Sequence, residues 1–392
     1  MTGLRFYLLL LGAFLCAGFA LPGWGESDEV QKALAQPEIT VGDFDLSKED
    51  LTVFYNARDN KPAWSFAGSE NSAAFASFLD SLNHLIDYHG LERENYPLEL
   101  MQSLAAPGGE GGVKLELIVT DTLLRLAHDL HGDNMELEQL YTGWNFHRDD
   151  ANIPLDLQAA VAANSLNAYI ESLSPKNPAY GHLAQALQTY RDLAAHGAWP
   201  RIDPGPALRP RDKGPRIAQL RARLKAEAYL PSDDPDKRDL LFDDNLEKAV
   251  LDYQQHNGLG ADGHIGARTL EALNTSVAAR IDQIRANMER WRHMPDHFPP
   301  TRYAVVNIPD ATITIFDSGN TLYHGIVIVG RVDRKTPFIQ SAIRSMIFNP
   351  SWHVPKKIAR LDILPKLRAD SHYLEKMGFV ISGAGDDPYG DN

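Results

Sequence analysis

Two incompatible hydrophobic periods divide this chain. Up to about residue 274 apolar side chains recur every three to four positions, whereas from Arg302 they gather in short β-branched runs. A three-to-four residue period buries one face of a helix, and a β-branched run fits a strand. One bundle or one sheet therefore cannot accommodate both. The predicted fold class is α+β and multidomain, with helices first and a β-rich part last.

Within the first part, Phe75, Phe78, Leu79, Leu82, Leu85 and Ile86 predict a helix closed by Gly90 as its C-cap. Further helices are predicted over 117–130, 155–173 and 180–195, and the whole of 45–200 reads as one helical region. Proline and glycine clusters at 105–109 and 174–178 break the pattern, and a Pro-rich linker follows at 199–206. Residues 207–275 form a small unit. Ile217, Leu220 and Leu224 make one apolar face, and Leu246, Ala249, Val250 and Tyr253 make another. Thr269, Leu270 and Leu273 begin a third short helix. In the β-rich part, strands are expected at 303–308, 312–316, 322–329 and 345–348, with Ser318-Gly319-Asn320 as a hairpin turn. Four strands with an open edge make an incomplete domain. The expectation is that 302–392 is the N-terminal part of a larger one.

The N-terminus is basic over residues 1–5 and apolar over 6–17, and then offers Gly18-Phe19-Ala20 as a small-x-small cleavage pattern. Residues 1–20 read as a secretory signal peptide, with an uncleaved anchor as the alternative. Phe14 and Leu15 are too bulky before Cys16 for a lipobox. Export to the periplasm is expected, with membrane contact only through this segment if it is retained. Cys16 is the one cysteine, so the processed chain has no disulfide, no thiolate metal site and no cysteine nucleophile. The net charge of -14 argues against nucleic acid, which requires clustered Lys and Arg.

The middle unit resembles the peptidoglycan-binding domain family. The resemblance rests on the 208–217 run with Leu220, Arg221 and Leu224, then on Ala249, Val250, Tyr253 and Gln254. It continues through Asn257-Gly258-Leu259, Asp262-Gly263, Ile265-Gly266-Ala267-Arg268-Thr269-Leu270 and Leu273-Asn274. Most of these residues set turns and core, so the pattern is mainly one of fold. The C-terminal part resembles the start of the L,D-transpeptidase catalytic domain. The carrying motifs are Asn287-Met288-Glu289-Arg290-Trp291-Arg292, Val306-Asn307-Ile308-Pro309, Val329-Gly330, Arg334-Lys335-Thr336-Pro337, Asn349-Pro350-Ser351-Trp352-His353-Val354-Pro355 and Ile363-Leu364-Pro365. The helical region is similar to the scaffold of the larger Gram-negative members, through Phe54-Tyr55, Pro62-Ala63-Trp64, His89-Gly90-Leu91 and Trp199-Pro200.

The resemblance implies a cysteine acyl transfer that crosslinks peptidoglycan stem peptides, with peptidoglycan as the partner and no cofactor. The family takes this chemistry from a His-Gly segment and a Ser-His-Gly-Cys segment downstream of the stretch matched here by residues 349–355, and neither is found between Pro355 and Asn392. No catalytic, cofactor-binding or metal residue is assigned, and the chain as given is expected to be inactive. A non-catalytic wall-binding protein is the alternative. A wall hydrolase would need a zinc site or paired carboxylates, which the sequence does not offer. Three weaker patterns remain: His293 and His297 at helical zinc spacing around Pro295, Ser351 and His353 flanking Trp352, and His264 beside Asp262. The scattered His84, His89, His128, His131 and His147 form no recognisable set.

Overall fold

The computed structural model describes residues 24–64, 71–106, 111–133, 135, 137–141, 144, 146, 148–197, 199–231, 240–295, 301–331, 333–346, 348–350 and 352–381. The candidate signal segment with Cys16, and also His147, His297, Ser351 and the final loop, lie outside them. The chain divides into two units, Met1–Ile339 and Gln340–Asn392.

The first unit opens with α1 (Trp24–Leu34), a short antiparallel hairpin of β1 (Thr40–Val41) and β2 (Phe44–Asp45), and α2 (Lys48–Asn56). Then come α3 (Asn71–His89), α4 (Leu98–Ala105), α5 (Val113–His131), α6 (Leu137–Leu140), α7 (Ile153–Ala162), α8 (Leu166–Leu173) and α9 (Pro178–Ala195). Helix α5 is the axis of this region. Fourteen of its residues are buried, on every side of the helix, because α1, α2, α4, α7 and α8 all pack on it. An all-round apolar helix has no solvent face to keep, and neighbours must enclose it. Of the enclosing helices, α2 and α7 begin at side-chain caps, the Asp50 amide donating to Ser47 and the Leu155 amide to Asn152; α9 begins in the same way, the Ala179 amide donating to Asn177. Gly90 closes α3 at φ +66, and the Leu91 amide reaches back to the Ile86 carbonyl at 3.0 Å.

Two polar groups are held inside this apolar frame. The Glu116 carboxylate accepts the Tyr55 hydroxyl (2.7 Å) and the Ala63 and Trp64 amides (2.5 and 3.2 Å), which ties the 61–64 segment to α5. Burial raises its pKa to about 7 against the pull of those donors. His128 lies between Asp133 (2.9 Å) and Asp50 (3.4 Å). Burial opposes its charge, but the two carboxylates prevail and raise it to about 10.

The second core belongs to α10 (Pro215–Ala226), α11 (Asp244–His256) and α12 (Ala267–Leu273). The Pro-rich stretch read as a linker delivers Ile202 into this core. Asn274 pins it there, accepting the Ile202 amide and donating to its carbonyl, both at 2.9 Å. Helix α13 (Val277–Arg292) then leaves the unit and packs along α9, with Met288 buried against Tyr180, Ala184 and Leu187.

Strands β3 (Arg302–Asn307), β4 (Thr312–Asp317) and β5 (Asn320–Ile326) form an antiparallel meander in the order β3-β4-β5. Ser318 (φ 51) and Gly319 (φ 80) make the two-residue turn, and Tyr303 stacks on Phe316 across the strands at 4.7 Å. Strand β5 stops at Ile326, short of the expected 329. The strand expected at 345–348 is not formed: Ser345, Met346 and Phe348 have no regular structure, and Phe348 is exposed. A β-branched run becomes a strand only beside a hydrogen-bonding partner, and the described residues of the second unit contain none. That unit carries instead a helical run through Lys356–Ile358, Ala359–Ile363 and Leu364–Ala369, then a final turn Tyr373–Lys376. The middle stretch is a π-turn, placed where Pro365 has no amide hydrogen to continue the ladder.

The titrations of His89 and His128 act on opposite sides of neutrality. His89 is fully buried, and burial together with nearby Arg292 lowers it from 6.5 to about 3. Its contribution to stability is therefore present above pH 6.5 and lost as pH falls toward 3. His128 contributes below 6.5 and loses that contribution as pH rises toward 10. Melting temperatures across pH should show a flatter acid limb for His89→Gln and a flatter alkaline limb for His128→Asn, each relative to wild type. Parallel curves would contradict the assignment.

Candidate functional site

Among the described residues the weak patterns do not assemble into a reactive centre. His293 Nε2 donates to Glu289 Oε1 over 3.0 Å and is buried at the end of α13. His264 is half-exposed beside Asp262 at 3.9 Å. In the second unit, Trp352 faces Phe379 at 6.0 Å between ring centroids. Among the described residues no group of three or more His, Cys, Asp or Glu could hold a metal ion, and no helix is long and apolar enough to cross a membrane. A surface depression of about 330 Å³ lies beside Arg58, Lys61 and Gln158, but the Arg58 guanidinium is already committed to the Lys61 and Pro62 carbonyls.

Helix α13 and the residues around it join the motifs. Arg292 is buried and donates to the His89 carbonyl (3.0 Å), the Tyr180 hydroxyl (3.1 Å) and Glu289 (2.7 Å). Tyr180 accepts from Arg292 and shares a 2.8 Å hydrogen bond with His89 Nδ1, so its proton is directed at a neutral imidazole. Nearer the middle of α13, Arg285 donates to the Gly90 carbonyl at 2.8 Å and pairs with Glu92. The His89-Gly90 and Arg290-Trp291-Arg292 motifs, some two hundred residues apart in sequence, are therefore two sides of one helix-docking site. At its other end α13 reaches the second core, where Arg280 donates to Asn257 and to the Ala272 carbonyl.

In the three-helix unit the signature residues turn inward. Gln254 is fully buried and accepts the Gly263 amide at 2.9 Å. Its own amide donates to Asp262 and to the His264 carbonyl, both at 2.9 Å. Gly263 needs its φ of +72 for this loop. Arg221 pairs with Asp243 at 2.8 Å, itself the N-cap of α11. Arg223 is fully buried, lies 3.6 Å from the Trp199 ring centroid, donates to the Leu273 carbonyl and pairs with Glu227 at 2.6 Å. Trp199-Pro200 thus seals the junction rather than facing a ligand. Gly330 has a comparable local reason: its amide donates to Thr336 at 2.7 Å, and a Cβ there would collide with the Arg334 carbonyl.

The sequence reading passed over Glu116 and Arg223 as sites of structural consequence. A lone carboxylate amid Leu115, Leu117 and Ile118 was the available signal for the first. Nothing local marks the second, since its partners lie outside its own helix except Glu227. Replacing Gln254 by alanine leaves the Gly263 amide and the His264 carbonyl without their buried partner, at a cost of about 1–3 kcal/mol. Urea denaturation of the full chain should show that loss, with faster exchange of the Gly263 amide. Unchanged exchange would mean that the loop is held by other contacts.

Residues 49–187 match a scaffold-domain family model, residues 213–273 a peptidoglycan-binding-domain model, and residues 301–392 the L,D-transpeptidase catalytic-domain model. A Haemophilus influenzae protein provisionally named as an L,D-transpeptidase is 29% identical over 167 residues, which is 41% of this chain and 33% of that protein. N-acetylmuramoyl-L-alanine amidase CwlM of Mycobacterium tuberculosis is 39% identical over 80 residues, 19% of this chain and 20% of that protein. The chain therefore spans a third or less of the length of the curated relatives it matches. The chain thus carries, in order, a scaffold-domain match, a peptidoglycan-binding-domain match and an L,D-transpeptidase catalytic-domain match.

Proposed function

We propose that this protein acts outside the cytoplasm on peptidoglycan, as an L,D-transpeptidase whose catalytic part is carried by a scaffold and a wall-binding unit. The observation that carries this reading is the order of three family matches along one chain. In the proposed reaction a thiolate attacks the carbonyl of the third stem residue and forms a thioester, and terminal D-Ala leaves as the protonated amine. The amine of a second stem then attacks the thioester, forming the new amide and returning the thiol. Such a step needs a thiolate, and the sole cysteine of these residues is Cys16 in the candidate signal segment. The nucleophile is therefore not among residues 17–392, and these residues contribute binding and placement. The limits 45–200, 207–275 and 302–392 are proposed as the corresponding domains, with residues 1–20 as the export signal.

That single cysteine also favours a second reading, a wall-binding protein without chemistry of its own. Sedimentation with insoluble sacculi tests the shared part of both readings. The processed chain should co-sediment, and a chain lacking 207–275 should remain in the supernatant. Equal sedimentation of the two would place binding elsewhere.

Covalent chemistry is tested separately. Carbapenems acylate the cysteine of this family, so intact-mass spectrometry of the processed product, residues 21–392, should show no adduct. A stoichiometric adduct would reveal a nucleophile other than a thiol and overturn the acyl-transfer assignment made here.

A further inference from the structure

Phe338, just after the Gly330–Thr336 turn, meets aromatic side chains of the helical region. Phe338 meets the Tyr141 ring edge-on, at 5.2 Å between centroids and 72° between planes, and lies 5.9 Å from the Trp144 ring. Tyr141 and Trp144 are themselves 5.8 Å apart, and Phe146 extends the group with an edge contact to Trp144 at 5.1 Å. Trp144 is buried, and its indole N–H donates to the Phe146 carbonyl at 3.0 Å, which fixes the ring. Tyr141 is fixed from the other side by Arg290 of α13. The guanidinium sits 5.1 Å from the ring centroid and donates twice to the hydroxyl, at 3.1 and 2.7 Å, while its remaining nitrogen donates to Asn287.

We infer that Tyr141 and Trp144 form an aromatic seat for Phe338, locked by Arg290, and that this seat fixes the stretch around Phe338, within Met1–Ile339, on the scaffold. The inference rests on the catalytic-domain match that begins at residue 301 and adds the residues that hold this part of it. Three arguments support it. Aromatic edge contacts have a preferred geometry, so a ring held between two others fixes orientation as well as distance. Second, the seat is rigid before Phe338 arrives, since the indole and the phenol each have a hydrogen-bonding partner of their own. Third, the helix that supplies Arg290 also supplies Arg280 to the three-helix unit and Arg285 and Arg292 to the scaffold. The 16 residues of α13 span about 24 Å as a single rod. A shift of the wall-binding unit along this rod is therefore transmitted to Tyr141, and through it to Phe338. Tyr141, Trp144 and Arg290 are positioning residues, with no part in the chemistry itself.

The test places 4-fluorophenylalanine at position 338 of the full chain and reads its single fluorine resonance. Ring currents from Tyr141 and Trp144 should shift it away from the position of free fluorophenylalanine. Tyr141→Ala and Trp144→Ala should each return it toward that position, whereas Tyr141→Phe keeps the ring and should retain most of the shift. In parallel, trypsin cleavage after Lys335 should become about tenfold faster in the alanine variants, as expected when a closed segment opens more often. Helical circular dichroism and melting temperature identify any variant that has lost its fold, and Phe338→Leu then serves as the probe from the other side of the contact. A free-like resonance in the wild-type chain, or one unmoved by both alanine variants, would overturn the seat. Neither outcome depends on sacculus binding or on carbapenem reactivity.

Discussion

A buried guanidinium holds this architecture together. Taking Arg292 out of water costs several kcal/mol, which only well-placed acceptors repay. Here the acceptors come from three elements: the end of α3 at His89, the Tyr180 hydroxyl on α9, and Glu289 one turn back on α13 itself. Such a cluster adds little net stability over an apolar equivalent, but it tolerates one register only. Sliding α13 by a turn would strand a charge among apolar side chains. The nearby glycines serve the same fit. A Cβ on Gly132 would lie 2.8 Å from the Arg292 carbonyl, and one on Gly90 would lie 2.8 Å from Leu187. Both are left-handed helix caps, so the conformation that ends α3 and α5 also makes room for neighbouring elements.

The neutral state of His89 belongs to this arrangement. A protonated imidazole beside Arg292 would place two positive charges in an enclosed site, and both burial and that neighbour keep the proton off. Glu289 absorbs the one positive charge that remains, and its own pKa is lowered by His293 and Arg292 despite burial. The site is thus electrostatically closed. Glu116 follows another logic: its hydrogen-bond partners are two backbone amides and a phenol, so a loop is held to a helix, with the Arg58 charge acting on it only through space. Removal of either carboxylate would leave donors stranded.

Functionally, the division of labour follows from where rigidity is located. The scaffold encloses α5 and offers fixed surfaces, the three-helix unit has a core of its own, and α13 links both through arginines on different faces. On the proposed reading, in which the substrate is a polymer that cannot diffuse, binding near it would raise the effective concentration of the catalytic part. That advantage depends on the geometry being kept, and the arginines of α13 are suited to keeping it.

Much of this was legible along the chain. Three long scaffold helices and those of the three-helix unit follow from apolar spacing, whereas 155–173, read as one helix, is two, broken at 163–165 where Asn164 takes φ 54; the turn at Ser318-Gly319 follows from its Ser-Gly-Asn run. Both are local properties: a period, a cap or a turn is written within a few residues of itself. Family motifs placed His89-Gly90 and Arg290-Trp291-Arg292 in the same kind of protein, but not against each other. Only the tertiary structure brought them together, because a buried guanidinium selects acceptors by position in space and not by distance along the chain. The strand expected at 345–348 shows the converse. Its residues have the right propensity, yet a strand exists only by pairing, and no described neighbour provides it. The sequence by itself determined the apolar faces of the longer helices, the core of the three-helix unit and which family the chain resembles. The tertiary structure decided which charges could be buried, since that depends on partners arriving from elsewhere in the chain.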